Sequence, residues 1–548
     1  GGVGGGLMRA MQNKEEQDLK ERLNALDKHI VFLGHGKFAR KLASQYRKLS
    51  TDNRIVAVDL ARPVPDGRDL SAPVFLGVQG DAKDVGLLAK LNLERAGIVY
   101  IDVGTDQDNY LIADSVSKVL TEKAAAQTST NEAGPKVFVH IQDLQYEKAV
   151  GSLKADHCEM RGFSLGTTAA RQLLGTHPPA RTRAESEPAV HILLAGYGWM
   201  GKSLLTEIFK TCHYRDRRPV RVTIVHQDAD RIQNEVESDF PFLAAAHSCE
   251  GPSKSSVAVM RYIKAKPERL TLDQLGCGPD DHSDKVAPDI AYVIADDGIV
   301  NQAIADRLVQ LKTILEPCEK HPHEEDFRIV LCADQSPGES RHDHWEIFDS
   351  SEQIIGKIDA FNEFPGAYLD AIGKQIHFSY QEKGAGTVDN CWTVAKPFER
   401  LSSNASADHL WLKTWAYVDA RQENVALLEP KDWRYWEAGS PVDKLIDDLG
   451  ISPKALLREI GEMEHRRFCA ERFVEGWLYH PQPLPAEAAA RRTEKTRRRN
   501  FRLNETLRPF DQLDDRDRDA TINSFEDSLN ALKAWCCAQQ PGQDGRLD

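Results

Sequence analysis

Short apolar runs rich in Val, Ile and Leu recur through the first two thirds of the chain, and the stretches between them are spaced like helices. The first set reads HIVFL, RIVAVD, VFLGVQ, GIVYID and KVFVH. The second reads VHILLA, RVTIVH, FLAAAH, DIAYVIAD and FRIVLCA. Continuous apolar strands alternating with helices predict a parallel sheet covered on both faces. The order of parts is the same twice, which predicts two copies of one fold. In each set the first strand runs into a glycine turn and a helix. These turns hold Gly34, Gly36 and Ala39 in HIVFLGHGKFARKL, and Gly196, Gly198 and Gly201 in VHILLAGYGWMGKSLL.

A strand–turn–helix with this glycine spacing is the setting of a dinucleotide site. Glycines let the backbone approach a pyrophosphate, and the helix N-terminus offers N–H groups and a positive dipole end. Asp59 ends the second strand of the first copy, where a carboxylate accepts hydrogen bonds from ribose hydroxyls. In the second copy His226 falls there, with Asp228 two residues on, and Trp199 and Met200 crowd the turn. The first copy is therefore expected to be the adenosine site. The second is either an altered ligand site or a structural twin.

Composition adds limits. A chain of 548 residues is expected to form three or four domains. No run approaches the roughly 20 apolar residues that span a bilayer. The ten cysteines are scattered apart from Cys536 and Cys537, with no CxxC pair, so no cysteine zinc site is expected and a reducing cytosol fits. His321, His323, His342 and His344 lack a ligand spacing and read as solvated loop residues, so no metal is expected. A net charge of −14 argues against general nucleic-acid binding. The start, GGVGGGLMRAMQ, reads as a tag remnant or the stump of an upstream segment.

The stretch from His29 to about Leu174 resembles the TrkA-type nucleotide-binding domain, also called the regulator-of-potassium-conductance (RCK) domain. Gly80-Asp81-Ala82 is similar to that family's GDA turn, and Asp106, Asp108 and Asn109 to its acidic-plus-Asn motif. The resemblance implies a regulatory NAD(H) or adenine nucleotide (ATP or ADP). It would be held around Gly34, His35, Gly36, Lys37, Phe38, Ala39, Asp59, Asp81, Ala82, Asp106 and Asn109, with its state reported to a potassium channel or transporter. The second copy, Val190 to Asp334, keeps Gly196, Gly198, Gly201, Asp296, Asp297 and Asn301. Its GDA equivalent is read as Cys249-Glu250-Gly251. The family's separate C-terminal subdomain is not recognisable after either copy.

Beyond about residue 345 the period becomes helical. Residues 368–380 and 402–418 are spaced as helices, with Ser402 or Ser403 as a cap, and 456–481 as a long amphipathic helix ending at Gly476. This part resembles the RyR domain through Glu464-His465, Gly476-Trp477, Tyr479, Asn500, Pro509-Phe510 and Leu513. Residues 368–418 read as a divergent first half, with Ile376-His377 and Tyr380. The resemblance leads to a candidate ligand site of His465, Trp477, Tyr479, Arg498 and Asn500. The run with Arg491, Arg492, Lys495, Arg497, Arg498 and Arg499 is either a solvated loop or a phosphate contact.

The expected fold is α/β: two tandem Rossmann-like doubly wound parallel-sheet domains and a mainly helical RyR-like C-terminal domain. The expected boundaries are 1–28 (a helical linker from a possible upstream pore), 29–180, 188–345, 346–450 and 451–548. No GxSxG, HExxH, Walker A or kinase signature occurs, so an enzyme is not expected. The leading expectation is a cytoplasmic nucleotide-sensing gating module of a potassium or other ion channel or transporter. Its pore would be in the same native chain or a separate subunit, and the assembly a homo-oligomer, dimer or tetramer, with no nucleic acid. The alternatives are a soluble signalling receptor of antiphage type, whose RyR-like domain binds a nucleotide-derived messenger, and an NAD(P)-dependent reductase.

Overall fold

The computed structural model describes residues 17–49, 54–61, 75–126, 134–142, 146, 149–153, 158–180, 188–244, 257–275, 288–295, 297–315, 327–333, 345–349, 367–381, 386–421, 452–480, 482, 484–485 and 487–538. The glycine-rich start, the four loop histidines, Cys249-Glu250-Gly251, Asp296 and residues 422–451 lie outside them. Two compact units divide the chain, Gly1–Leu165 with Ile354–Ala367, and Gly166–Gln353 with Tyr368–Asp548.

The first unit is built on a six-stranded sheet. Its strands are β1 (His29–Leu33), β2 (Ile55–Asp59), β3 (Phe75–Gln79), β4 (Ala96–Ile101), β5 (Lys136–His140) and β6 (Glu159–Phe163). They lie in the order β3-β2-β1-β4-β5-β6, and every pairing is parallel. Central strands are buried at every position or nearly so, as β1 and β2 show, because helices cover both faces. Helix α1 (Lys37–Leu49) follows the first glycine turn, and α2 (Asp106–Ala126) follows β4. Val31, Val56, Val99 and Val137 stack in one core across four strands. Burying each such side chain is worth roughly 1.5–3 kcal/mol. The buried hydroxyls of Tyr46 and Tyr100 pair with each other at 2.7 Å. Residues 17–24, in the expected linker, are helical.

The second unit repeats the plan. Helix α3 (Leu165–Thr176) leads towards β7 (His191–Ala195), β8 (Val220–His226), β9 (Ala258–Lys264), β10 (Ile290–Val293), β11 (Arg328–Ala333) and β12 (Glu346–Asp349). The order β12-β11-β10-β7-β8-β9 is the first sheet's order, again all parallel. Helices α4 (Gly201–Thr211), α5 (Ala229–Asp239) and α6 (Gly298–Leu315) flank it.

Three expectations change. Each sheet has a sixth strand, and β12 falls just beyond the expected boundary at 345. The third strand of the second sheet is AVMRYIK, whereas Phe242, expected to open that strand in FLAAAH, lies in the helical turn Pro241–Ala244. Because the Ala265 N–H donates to His226 O as Gly80 N–H does to Asp59 O, the GDA position is held by Ala265-Lys266-Pro267.

A helical bundle completes this unit: α7 (Ala371–Ser379), α8 (Val388–Val394), α9 (Pro397–Ala420), α10 (Lys454–Val474), α11 (Ala488–Asn500) and α12 (Asp515–Ala538). Helix α9 starts earlier than expected. Pro397 takes its first turn and the Lys396 N–H donates to Glu399, so Ser402 and Ser403 lie inside the helix rather than at its cap. The arginine run is the helix α11, not a loop, because Ala, Arg, Lys and Glu are strong helix formers. No described helix is long and apolar enough to cross a membrane.

The bundle meets α4 through a buried charge network. Glu464 accepts from Lys413 Nζ at 2.9 Å, Arg467 Nε at 2.9 Å and Ser406 Oγ at 3.2 Å, and lies 3.2 Å from His409 Nδ1. Arg467 also reaches Glu471 at 2.7 Å, and Lys210 reaches Glu207 at 3.0 Å. With Arg472 and Glu475, four buried acids face four buried cations.

Burial holds His213 well below the usual histidine range, helped by His409 and Arg466. Burial also lowers His409, with Glu464 opposing. Both rings are neutral in the fold, so their contribution is present above the ordinary value of 6.5 and is lost as pH falls towards the depressed folded values. The urea midpoint for this unit is expected to be lower at pH 5.5 than at pH 7.5. An equal or higher midpoint at pH 5.5 contradicts the assignment.

Candidate functional site

The first glycine turn is shaped by contacts that only glycine allows. Gly34 sits at φ +101°, and a Cβ there would come within 2.0 Å of Asp102 O. Its N–H donates to Val58 O at 2.9 Å, and Asp102 N–H donates to Leu33 O at 2.9 Å, so β2 and β4 both clamp the end of β1. Gly36 is different: a Cβ there would meet nothing within 4 Å. Its backbone borders open space at the start of α1, as a pyrophosphate cradle needs.

Asp59 closes this turn from β2. Its Oδ2 accepts from His35 N–H at 2.9 Å and its Oδ1 from Leu60 N–H at 2.7 Å. The carboxylate is half-buried and keeps lone pairs for a further donor. His35 lies against Phe75, with ring centroids 5.5 Å apart. Lys37 and Phe38 form the first turn of α1, while Ala39 is buried under it.

The loops after β3 and β4 reach the same carboxyl edge. Asp81 Oδ1 accepts from Lys83 N–H at 2.9 Å, and Lys83 pairs with Asp108 at 2.6 Å, tying the two loops together. Ala82 belongs to the core. Asp106 accepts from Gln142 N–H through both oxygens, at 3.0 and 3.1 Å. Asn109 is 1% exposed, and both ends of its amide are bonded: Oδ1 accepts from Val103 N–H and Nδ2 donates to His140 O. In the second sheet Asn301 makes the matching bonds to Ala295 N–H and Cys332 O. The repeated asparagine thus staples two neighbouring strand ends.

The sequence reading missed a pair on the same edge. His140 Nδ1 lies 3.0 Å from Asp102 Oδ1, with Phe38 and Phe163 beside the imidazole at 6.4 and 5.4 Å between centroids. The available signal was that each is the first polar residue after an apolar run, where strands of such sheets line the crevice.

The second glycine turn is filled from within. Gly196 keeps its positive φ of +93°, but Gly198 N–H donates to Ile294 O at 2.8 Å. The Tyr197 ring packs so close to Gly201 that a Cβ would lie 2.8 Å from it. Burial, with Glu235 and Asp239 nearby, pushes the Tyr197 phenol well up. Asp297 caps α6 by accepting from Ile299 and Val300 N–H. At the position of Asp59, His226 Nδ1 faces Asp228 N–H at 3.0 Å.

Among the described residues the helical candidates take separate partners. His465 packs near Phe510, its Nε2 2.7 Å from Arg508 O, and burial pulls its pKa down. Trp477 clusters with Cys469 and Leu507, Tyr479 packs against that cluster, and Arg472 lies over the indole at 5.2 Å. Arg498 is buried on Glu494 and Glu505, at 2.8 and 2.9 Å. Asn500 lines a groove of about 500 Å³ along α11 with Arg492, Thr493, Thr496, Arg497 and Phe501.

Comparison with known proteins adds three findings. No curated protein matches the chain. Among solved structures, ADP-bound GsuK is 15% identical over 60% of this chain and 68% of its own, with a TM-score of 0.35. The GsuK channel is also 15% identical over the same shares, with a TM-score of 0.34. The family model of the TrkA-N domain matches residues 30–159, so the sheet that carries Gly34, Asp59 and His140 is the part of this chain with the TrkA-N signature.

Proposed function

We propose that the first sheet binds an adenine nucleotide, NAD(H), ATP or ADP, and that the chain is a nucleotide-sensing regulatory module of an ion channel or transporter rather than an enzyme. The observation that carries this reading is the paired geometry of the first turn. Asp59 is bonded to the turn's own backbone, while Gly36 leaves open space in front of the α1 N-terminus. The TrkA-N match over the same residues supports it. The second turn has its space taken by Tyr197, and His465, Trp477, Tyr479 and Arg498 are engaged with internal partners, which favours one ligand site.

A ligand regulates by binding one conformation better than another. The loops after β1, β3 and β4 lie at this edge beside Asp59, so ordering them is the expected response, read as slower hydrogen exchange when nucleotide is present. Asp59→Ala removes the ribose acceptor and is expected to weaken ADP binding by roughly 1–3 kcal/mol, measured by calorimetry. Unchanged affinity would place the ligand elsewhere.

A further inference from the structure

We propose that helix α11 is a docking surface for an anionic lipid bilayer. The proposal is independent of the nucleotide site and rests on the second unit alone. The helix, AAARRTEKTRRRN, holds six basic side chains and one acid, Glu494.

Folding sorts these charges onto different faces. Arg498 is 3% exposed and bonded to Glu494 and Glu505, which ties the inner side of α11 to the strand that follows it. Glu494 also accepts from Arg497 at 2.7 and 2.8 Å, so the one acid of the helix is engaged by its own cations. Arg491, Arg492, Lys495 and Arg499 are exposed, with no ion pair among the described residues. At about 3.6 residues per turn, their spacing puts all four within an arc of about 100°.

A solvated charged helix ordinarily interleaves both signs, as α12 does in Asp515-Arg516-Asp517-Arg518-Asp519. The α11 arc carries one sign, on a chain whose net charge is −14. Such a segregated patch attracts a surface of opposite charge.

Apolar side chains at the end of the helix decide which anionic surface fits. Phe501 is 66% exposed and Leu478 is 63% exposed. Strands β13 (Leu478–Tyr479) and β14 (Leu503–Asn504) pair in parallel, and Leu478 N–H donates to Arg502 O at 2.8 Å. Both apolar residues therefore belong to the same end of α11. A bilayer interface takes both parts of this surface: lipid headgroups meet the Arg and Lys side chains, and Phe and Leu enter the acyl boundary. A nucleic acid would use the cations but has no apolar layer to receive Leu478. The exposed face of a single helix is convex, which suits a broad surface better than a bound peptide.

Cosedimentation of the full chain with vesicles tests the proposal. At about 0.1 M salt the chain is expected to bind vesicles of about 70% phosphatidylcholine and 30% phosphatidylserine at least about tenfold tighter than pure phosphatidylcholine, and to lose most of that preference at about 0.5 M salt. Each cation near such a surface strengthens binding roughly fivefold, so Lys495→Gln with Arg499→Gln should weaken it roughly twenty-five-fold. Leu478→Ser with Phe501→Ser should weaken it about tenfold and leave the salt dependence as it was. All four side chains are exposed, so both variants are expected to keep the unfolding midpoint. No binding, binding indifferent to phosphatidylserine, or binding that survives the two Gln substitutions overturns the proposal. So does a DNA duplex bound more tightly than the vesicles, or vesicle binding that ignores the apolar pair, because either result makes α11 a general polyanion surface.

Discussion

Glu464→Ala is expected to lower the unfolding free energy of the second unit by roughly 3–5 kcal/mol, because removing one partner strands buried charge. Glu464 is 5% exposed and is the acceptor shared by Lys413, Arg467, His409 and Ser406. Burial alone would push its carboxyl pKa up, but Arg467, Lys413 and His409 outweigh burial and hold it well below the usual range. The carboxylate is therefore charged at neutral pH. Its stabilisation is present above the ordinary carboxyl pKa and is lost as pH falls through the depressed one. Without it, Lys413 is a buried ammonium whose pKa is already lowered by burial. Chemical denaturation followed by circular dichroism measures the cost. Glu464→Gln with Lys413→Met, which removes both charges, is expected to recover part of the loss. A Glu464→Ala midpoint equal to the unaltered one would mean that the network carries little of the bundle's stability.

The second large effect is on binding. Gly36→Ala is expected to weaken nucleotide affinity about tenfold or more while leaving the unfolding midpoint unchanged. The added methyl meets no protein atom within 4 Å, so folding has no reason to resist it, yet it enters the space a pyrophosphate would use. Gly34→Ala is the opposite case. Its φ of +101° costs roughly 1–3 kcal/mol for any other residue, before the collision with Asp102 O. It should lower stability whether or not ligand is present. The two variants separate a glycine needed by the fold from one needed by the ligand, and binding by Gly36→Ala at full affinity would remove the turn from the site.

The duplicated sheet was legible because parallel strands buried on both faces are continuous apolar runs, as in HIVFL and HILLA. Three of the edge strands, β6, β9 and β12, escaped for the complementary reason. In β9 and β6 exposed and half-buried positions alternate with or outnumber buried ones, so EMRGF and AVMRYIK carry little apolar signal. FLAAAH was the stronger apolar run, but Pro241 opens a helical turn there. The glycines and Asp59 were legible because backbone approach and ribose hydrogen bonding demand those residue types at that spacing. Asp102 and His140 were not, since their meeting depends on β4 and β5 being neighbours, which only the sheet order reveals. Asn109 was read as a ligand contact, whereas the fold commits its amide to backbone groups in a way Asn301 repeats. Trp477 and Tyr479 carried the aromatic chemistry of a stacking site, and the fold packs them in and against a small core with Cys469 and Leu507.

The most direct test is calorimetric titration of the full chain with NAD⁺ and with ADP, repeated on Asp59→Ala. Saturable binding of a single nucleotide per chain, weakened by the substitution, is the predicted result. No binding at millimolar nucleotide, or binding indifferent to Asp59, would contradict the assignment of the first sheet as the sensing site.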